Sequence, residues 1–168
     1  MKRTLLSLIG LFIGIVTFAQ NTYQSGKFNV KLNGNNATIV GLAESDLTDI
    51  RIPSTVKIND VKYPVTAIAE GAFRNQTSLL SVSIGLNIAT IGSNAFVGCS
   101  HLKTVYVYAL MPPKGTGKAD IFGYDDGFGS LVLPDNFTVY VSAGSVADFQ
   151  NDATWGKLHI EPMVIKIP

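Results

Sequence analysis

The chain repeats itself at a constant offset. The stretch Ala67-Ile68-Ala69-Glu70-Gly71-Ala72-Phe73 is followed 23 residues later by Thr90-Ile91-Gly92-Ser93-Asn94-Ala95-Phe96. The same offset carries Ile68, Ala72, Phe73, Leu79, Val82 and Ile84 onto Ile91, Ala95, Phe96, Leu102, Val105 and Val107, and all six pairs are apolar. An apolar register kept at a fixed offset marks a chain built from stacked copies of one small unit, none able to bury its face alone.

The offset lies within the roughly 20–29 residue period of leucine-rich repeats. Leu79-x-x-Val82-x-Ile84 recurs as Leu102-x-x-Val105-x-Val107 and, upstream, as Leu47-x-x-Ile50-x-Ile52. After a longer excursion, Thr138-Val139-Tyr140-Val141 echoes Thr104-Val105-Tyr106-Val107. Each unit predicts one short strand with side chains alternating in and out, then a turn that lays the next strand beside it. Phe73 and Phe96, each preceded by an alanine, are expected to stack as a ladder in the core. The fold class that follows is a β-rich leucine-rich-repeat solenoid, an α/β-type repeat superhelix with few short helices. So short an array exposes apolar ends unless they are covered, so it needs an N-terminal hairpin cap and a C-terminal cap.

The flanks fit that need. Phe28 to Leu32 alternates apolar and polar, Asn33 to Asn36 is a turn, and Ala37 to Val40 leads back as a hairpin. A second hairpin has Val56-Lys57-Ile58 and Val61-Lys62-Tyr63 on either side of Asn59-Asp60. Toward the other end, Ser145 to Gln150 predicts a short helix, Trp155 a plug, and Leu158-His159-Ile160 a closing strand. With 168 residues and 46% hydrophobic content, one modest core is the expectation. The resulting division is a signal peptide over 1–19 and a single domain over 20–168. Within that domain, 22–66 form the hairpins, 67–110 the regular repeats, and 111–168 the loop, last strand and cap.

The leader reading rests on Lys2 and Arg3, the apolar run Leu5 to Phe18, and the small residues around Thr17-Phe18-Ala19, with cleavage expected before Gln20. The run is shorter than the roughly 20 residues a bilayer span needs. No Cys follows it, so no N-terminal lipid anchor is expected. The protein is thus read as exported: secreted, at the cell surface, or periplasmic. Without the leader, 11 basic residues face 12 acidic ones, and no basic stripe exists to follow a nucleic acid.

Signals for chemistry are sparse. Cys99 has no partner for a disulfide and reads as a small packed hydrophobe rather than a reactive thiol. One Cys and two distant His, His101 and His159, do not make a metal site, and solvated or covering roles suit both histidines better than catalysis. Lys114-Gly115-Thr116-Gly117-Lys118 lacks the upstream Gly and the trailing Ser or Thr of a phosphate-binding loop. Asp120, Asp125 and Asp126 lack the spacing of a calcium loop, and Met111 to Leu133 reads as a flexible polar loop. No nucleophile elbow is present. Neither a catalytic residue nor a cofactor or metal is expected.

Several stretches together resemble the BspA-like leucine-rich-repeat proteins common in Bacteroidetes. They are Ile52-Pro53-Ser54, Tyr63-Pro64-Val65-Thr66-Ala67-Ile68, Ala72-Phe73, Gly98-Cys99-Ser100-x-Leu102-Lys103-Thr104-Val105, and the closing Val139 to Val146 with Trp155. The chain departs from that pattern in its few repeats, in Arg74-Asn75 where Gly-Cys is commoner, and in the 111–133 segment. The resemblance implies an exported or surface-associated interaction protein of the adhesion type and no enzymatic activity.

Strand alternation then predicts a contact surface. If Val82, Ile84, Val105 and Val107 point inward, their neighbours point outward. The outward column runs Arg51, Ser83, Tyr106 and Tyr140, with Asp49, Ser81, Thr104 and Thr138 on one side and Tyr108 on the other. Tyrosine and arginine are enriched at binding hot spots. The expected partner is a protein of the host matrix or cell envelope. A carbohydrate surface or a periplasmic accessory role is the alternative, and self-association through the solenoid ends is also open.

Overall fold

The computed structural model describes residues 21–117, 120–125 and 131–164. The expected leader, with its expected cleavage position, and Lys118 and Asp126 lie outside the described residues. The strands open with β1 (Thr22–Ser25), β2 (Phe28–Asn33), β3 (Asn36–Leu42), β4 (Asp49–Arg51) and β5 (Thr55–Ile58). Next come β6 (Val61–Ile68), β7 (Ser81–Ile84), β8 (Thr90–Gly92), β9 (Thr104–Val107) and β10 (Lys114–Thr116). They close with β11 (Tyr124–Asp125), β12 (Leu131–Val132), β13 (Thr138–Val141) and, after the helix α1 (Val146–Asn151), β14 (Ile160–Pro162).

Two main sheets hold twelve of these strands, and β11 and β12 form a separate antiparallel pair. In the first, order β1-β2-β3-β6-β8-β10, antiparallel hairpins lead into a parallel run, and β5 pairs with β6 off that path. In the second, order β14-β13-β9-β7-β4, all neighbours are parallel. Its registers follow the sequence repeat: Val82 faces Val105, Ile84 faces Val107, and Thr138 to Val141 faces Thr104 to Val107 residue for residue. Both expected hairpins form. In the second, Asn59 and Asp60 have φ of 48° and 66°, the left-handed pair that a two-residue turn between right-twisted strands requires.

The core lies between the sheets, and aromatic rings run through it. Phe73 and Phe96 stack at 5.0 Å and 15° and are almost fully buried, as the repeat predicts. The ladder continues beyond them: Phe122 stacks on Phe96 at 5.1 Å and 14°. Phe28 closes the other end edge-on to Phe73 at 6.4 Å. Trp155 meets Phe122 at 5.8 Å and Phe149 at 5.3 Å, and its Nε1 donates to the Pro113 carbonyl at 2.7 Å. The expected helix near Ser145 and the expected burial of Trp155 are both observed.

Two sequence expectations need correcting. The first is the loop reading of 111–133. β10 pairs in parallel with β8, Ser93 N donates to Thr116 O at 2.8 Å, Asn94 N to Asp120 O at 2.9 Å, and Phe96 N to Ile121 O at 2.9 Å. Residues 114–117 and 120–122 are therefore another layer, longer in sequence between Thr116 and Asp120, with Ile121 and Phe122 buried. The second concerns Gly-Cys. Gly98 has φ 76° and its equivalent one period earlier is Asn75, with φ 61°, so Gly98-Cys99 corresponds to Asn75-Gln76 rather than Arg74-Asn75. Asn is the residue after Gly that best tolerates this left-handed backbone.

Candidate functional site

The outward side chains of the second sheet form an ordered surface. Pairing places Arg51 opposite Ser83, Ser83 opposite Tyr106, and Tyr106 opposite Tyr140. A parallel column runs Asp49, Ser81, Thr104 and Thr138. Every residue of both columns is exposed or half-buried, while the alternating Ile50, Val82, Val105 and Val139 are hidden. Tyr106 and Tyr140 stack at 5.3 Å and 24°. Strands lie about 4.8 Å apart, so rings stacked at this spacing stand upright on neighbouring strands, each spending one face on the other.

The parallel column also fixes the local charge. Asp49 accepts a hydrogen bond from the Ser81 hydroxyl and another from Thr48 Oγ1 at 2.9 Å. These two bonds, that of Ser81 foremost, hold its carboxyl below the usual carboxylate range. Arg51, two residues on, makes no ion pair among the described residues. Its guanidinium is available to a ligand.

Tyr108 stands one step past the end of β9 and is 42% exposed. One residue beyond the pair Ile84 and Val107, its neighbour on the preceding layer is Gly85, followed by Pro53. The backbones approach so closely there that a Cβ on Gly85 would crowd the Ile52 carbonyl, and a depression lies beside this contact. The depression has a volume of about 350 Å³ and is lined by Arg51, Ser83, Gly85, Leu86 and Tyr108 among others. A second depression, of about 640 Å³, adjoins it through the shared Leu86 and Tyr108 and extends past Leu110 and Met111 to Lys114.

Sequence alternation located Asp49, Arg51, Ser81, Ser83, Thr104, Tyr106, Tyr108 and Tyr140, and the structure brings all eight to one face. It missed Glu161, which extends the column by pairing with Tyr140 and bonds His159 at 3.1 Å. It also missed Leu86, Leu110 and Met111, exposed at 63%, 70% and 67%. The signal for the last two was the apolar run Ala109-Leu110-Met111 ahead of Pro112-Pro113, outside any strand. His101 lies away from this face, its Nδ1 bonded to the Thr77 carbonyl at 2.7 Å. The described residues contain no cluster of three or more His, Cys, Asp or Glu.

Comparison with known proteins gives this arrangement its context. Residues 42–111 match the BspA type leucine rich repeat region, in six copies. A leucine-rich repeat protein from Bacteroides capillosus ATCC 29799 has a similar structure, with 23% identity and a TM-score of 0.51 over 73% of this chain and 99% of that one. So does a leucine rich cell surface protein from Faecalibacterium prausnitzii A2-165, with 24% identity and a TM-score of 0.50. That match covers 85% of this chain and 43% of the longer neighbour. No curated protein matches the sequence.

Proposed function

Starting from residues 42–111 as a BspA-type leucine-rich repeat region within a mostly stranded repeat fold, we propose a non-enzymatic protein-binding module of the adhesion type that works outside the cytoplasm. In this reading the two parallel ladders are a short solenoid, and its hairpin and helix ends are caps. Residues 1–19 are a removable leader to a single domain over 20–168. The cell-surface description of the Faecalibacterium neighbour is in keeping with export. The carrying observation is the aligned outward column of Arg51, Ser83, Tyr106 and Tyr140 over a fully hidden apolar one. A pre-stacked tyrosine pair offers wide contact area with little rotamer freedom left to lose on binding.

The upright stack favours a protein over a sugar, because a sugar platform needs open ring faces and each ring spends one face on its neighbour. The test is capture from producer-cell envelope and host-matrix extracts, with a glycan array alongside. Tyr106→Ser with Tyr140→Ser removes only outward side chains, so the fold should persist while protein capture falls at least about tenfold. Undiminished capture by a folded double variant, or glycan binding in place of protein capture, would overturn the assignment.

A further inference from the structure

The paired depressions at the ends of β4, β7 and β9 have a composition unlike the rest of the strand face. Leu86, Tyr108, Leu110 and Met111 give them an exposed apolar middle. Arg51 stands at one end and Lys114 at the other, and no Asp or Glu lines either depression. Neither cation has an ion pair among the described residues. An apolar groove with a cation at each end and no anion of its own is complementary to a ligand of inverse pattern. A guanidinium recognises carboxylates in a planar, two-point geometry, and desolvation beside apolar walls strengthens such a contact.

We infer that this groove is a docking site for an extended segment of a partner protein with an apolar centre and acidic residues on both flanks. The inference rests on the protein-binding reading and narrows it to a class of partner. Apolar side chains sit over Gly85 and between Leu86, Tyr108 and Met111, one flanking carboxylate meets Arg51, and the other meets Lys114.

The experiment selects random twelve-residue peptides displayed on phage against purified protein produced from the full-length sequence. Enriched peptides are then measured by fluorescence polarisation. Expected are sequences with apolar centres and Asp or Glu flanks. Their affinity falls at least about tenfold in Leu86→Ser/Met111→Ser, and their charge preference inverts in Arg51→Glu/Lys114→Glu. Unchanged circular dichroism and thermal midpoints show that each variant folds. The inference is overturned if no sequence is enriched, if flanks are basic or uncharged, or if the variants leave affinity unchanged. It is also overturned if phosphatidylglycerol vesicles, rather than peptides, bind in a way lost with Leu86→Ser/Met111→Ser, which would make the groove a membrane contact. Loss of envelope capture in the tyrosine double variant, together with any of these failures, retains the protein-binding function and removes only the groove.

Discussion

Cys99 packs its thiol against the preceding layer, with Sγ 3.1 Å from the Phe73 carbonyl oxygen, and burial pushes its pKa from 9.0 up to about 11. Burial disfavours the thiolate, so the folded chain holds this proton to higher pH than the unfolded chain does. The stability linked to the neutral thiol is therefore fully present below 9.0 and is lost as pH rises toward 11. One proton's difference is worth at most about 1.4 kcal/mol per pH unit. Between about pH 8 and pH 10.5, the wild type is expected to lose up to about 2 kcal/mol more stability than Cys99→Ala. Urea midpoints of both proteins at the two pH values measure this, and equal losses would refute it. The sequence already marked Cys99 as packed, because a lone cysteine at a repeat position has an apolar role available and no sulfur partner.

At the scale of elements, legibility followed side-chain period. β7, β9 and β13 alternate cleanly, so their pairing, their hidden face and their exposed column could be read from a single sequence. β10 could not be read. All three of its residues, Lys114, Gly115 and Thr116, are exposed, and backbone pairing to β8 alone makes it a strand. The lengthening before Asp120 also puts Phe122 26 residues after Phe96 rather than 23, which hides it from a scan at fixed offset. The groove residues escaped for a related reason, since Leu86, Leu110 and Met111 lie beyond strand ends where alternation makes no statement. If the 111–125 segment is a true layer, Phe122 belongs to the core as fully as Phe96 does. Phe122→Ala should then cost about 3–5 kcal/mol, close to the cost of Phe96→Ala. Chemical unfolding compares the two, and a loss below about 1 kcal/mol for Phe122→Ala would return the segment to a surface loop.

Across the whole molecule, stacked repeats touch only their neighbours, so a short array unfolds as one unit only if coupling between layers exceeds the stability of any layer alone. Here the coupling has a visible route. Rings pass from Phe28 through Phe73, Phe96 and Phe122 to Trp155 and Phe149, each within 6.4 Å of the next. No layer can open without uncovering an aromatic face of the one beside it. Trp155 is the sole tryptophan and lies at the C-terminal end of this column, so its fluorescence reports that end while far-ultraviolet circular dichroism reports the strands throughout. Under increasing urea the two signals should change at a common midpoint with a common slope, as two-state unfolding requires. Trp155→Phe, which keeps an aromatic body but cannot donate to Pro113, should lower the dichroism midpoint without splitting the transition; the lost hydrogen bond alone contributes about 1 kcal/mol. A tryptophan transition well below the dichroism one would mean that the C-terminal segment detaches first, and that the aromatic column does not bind the layers into one cooperative body.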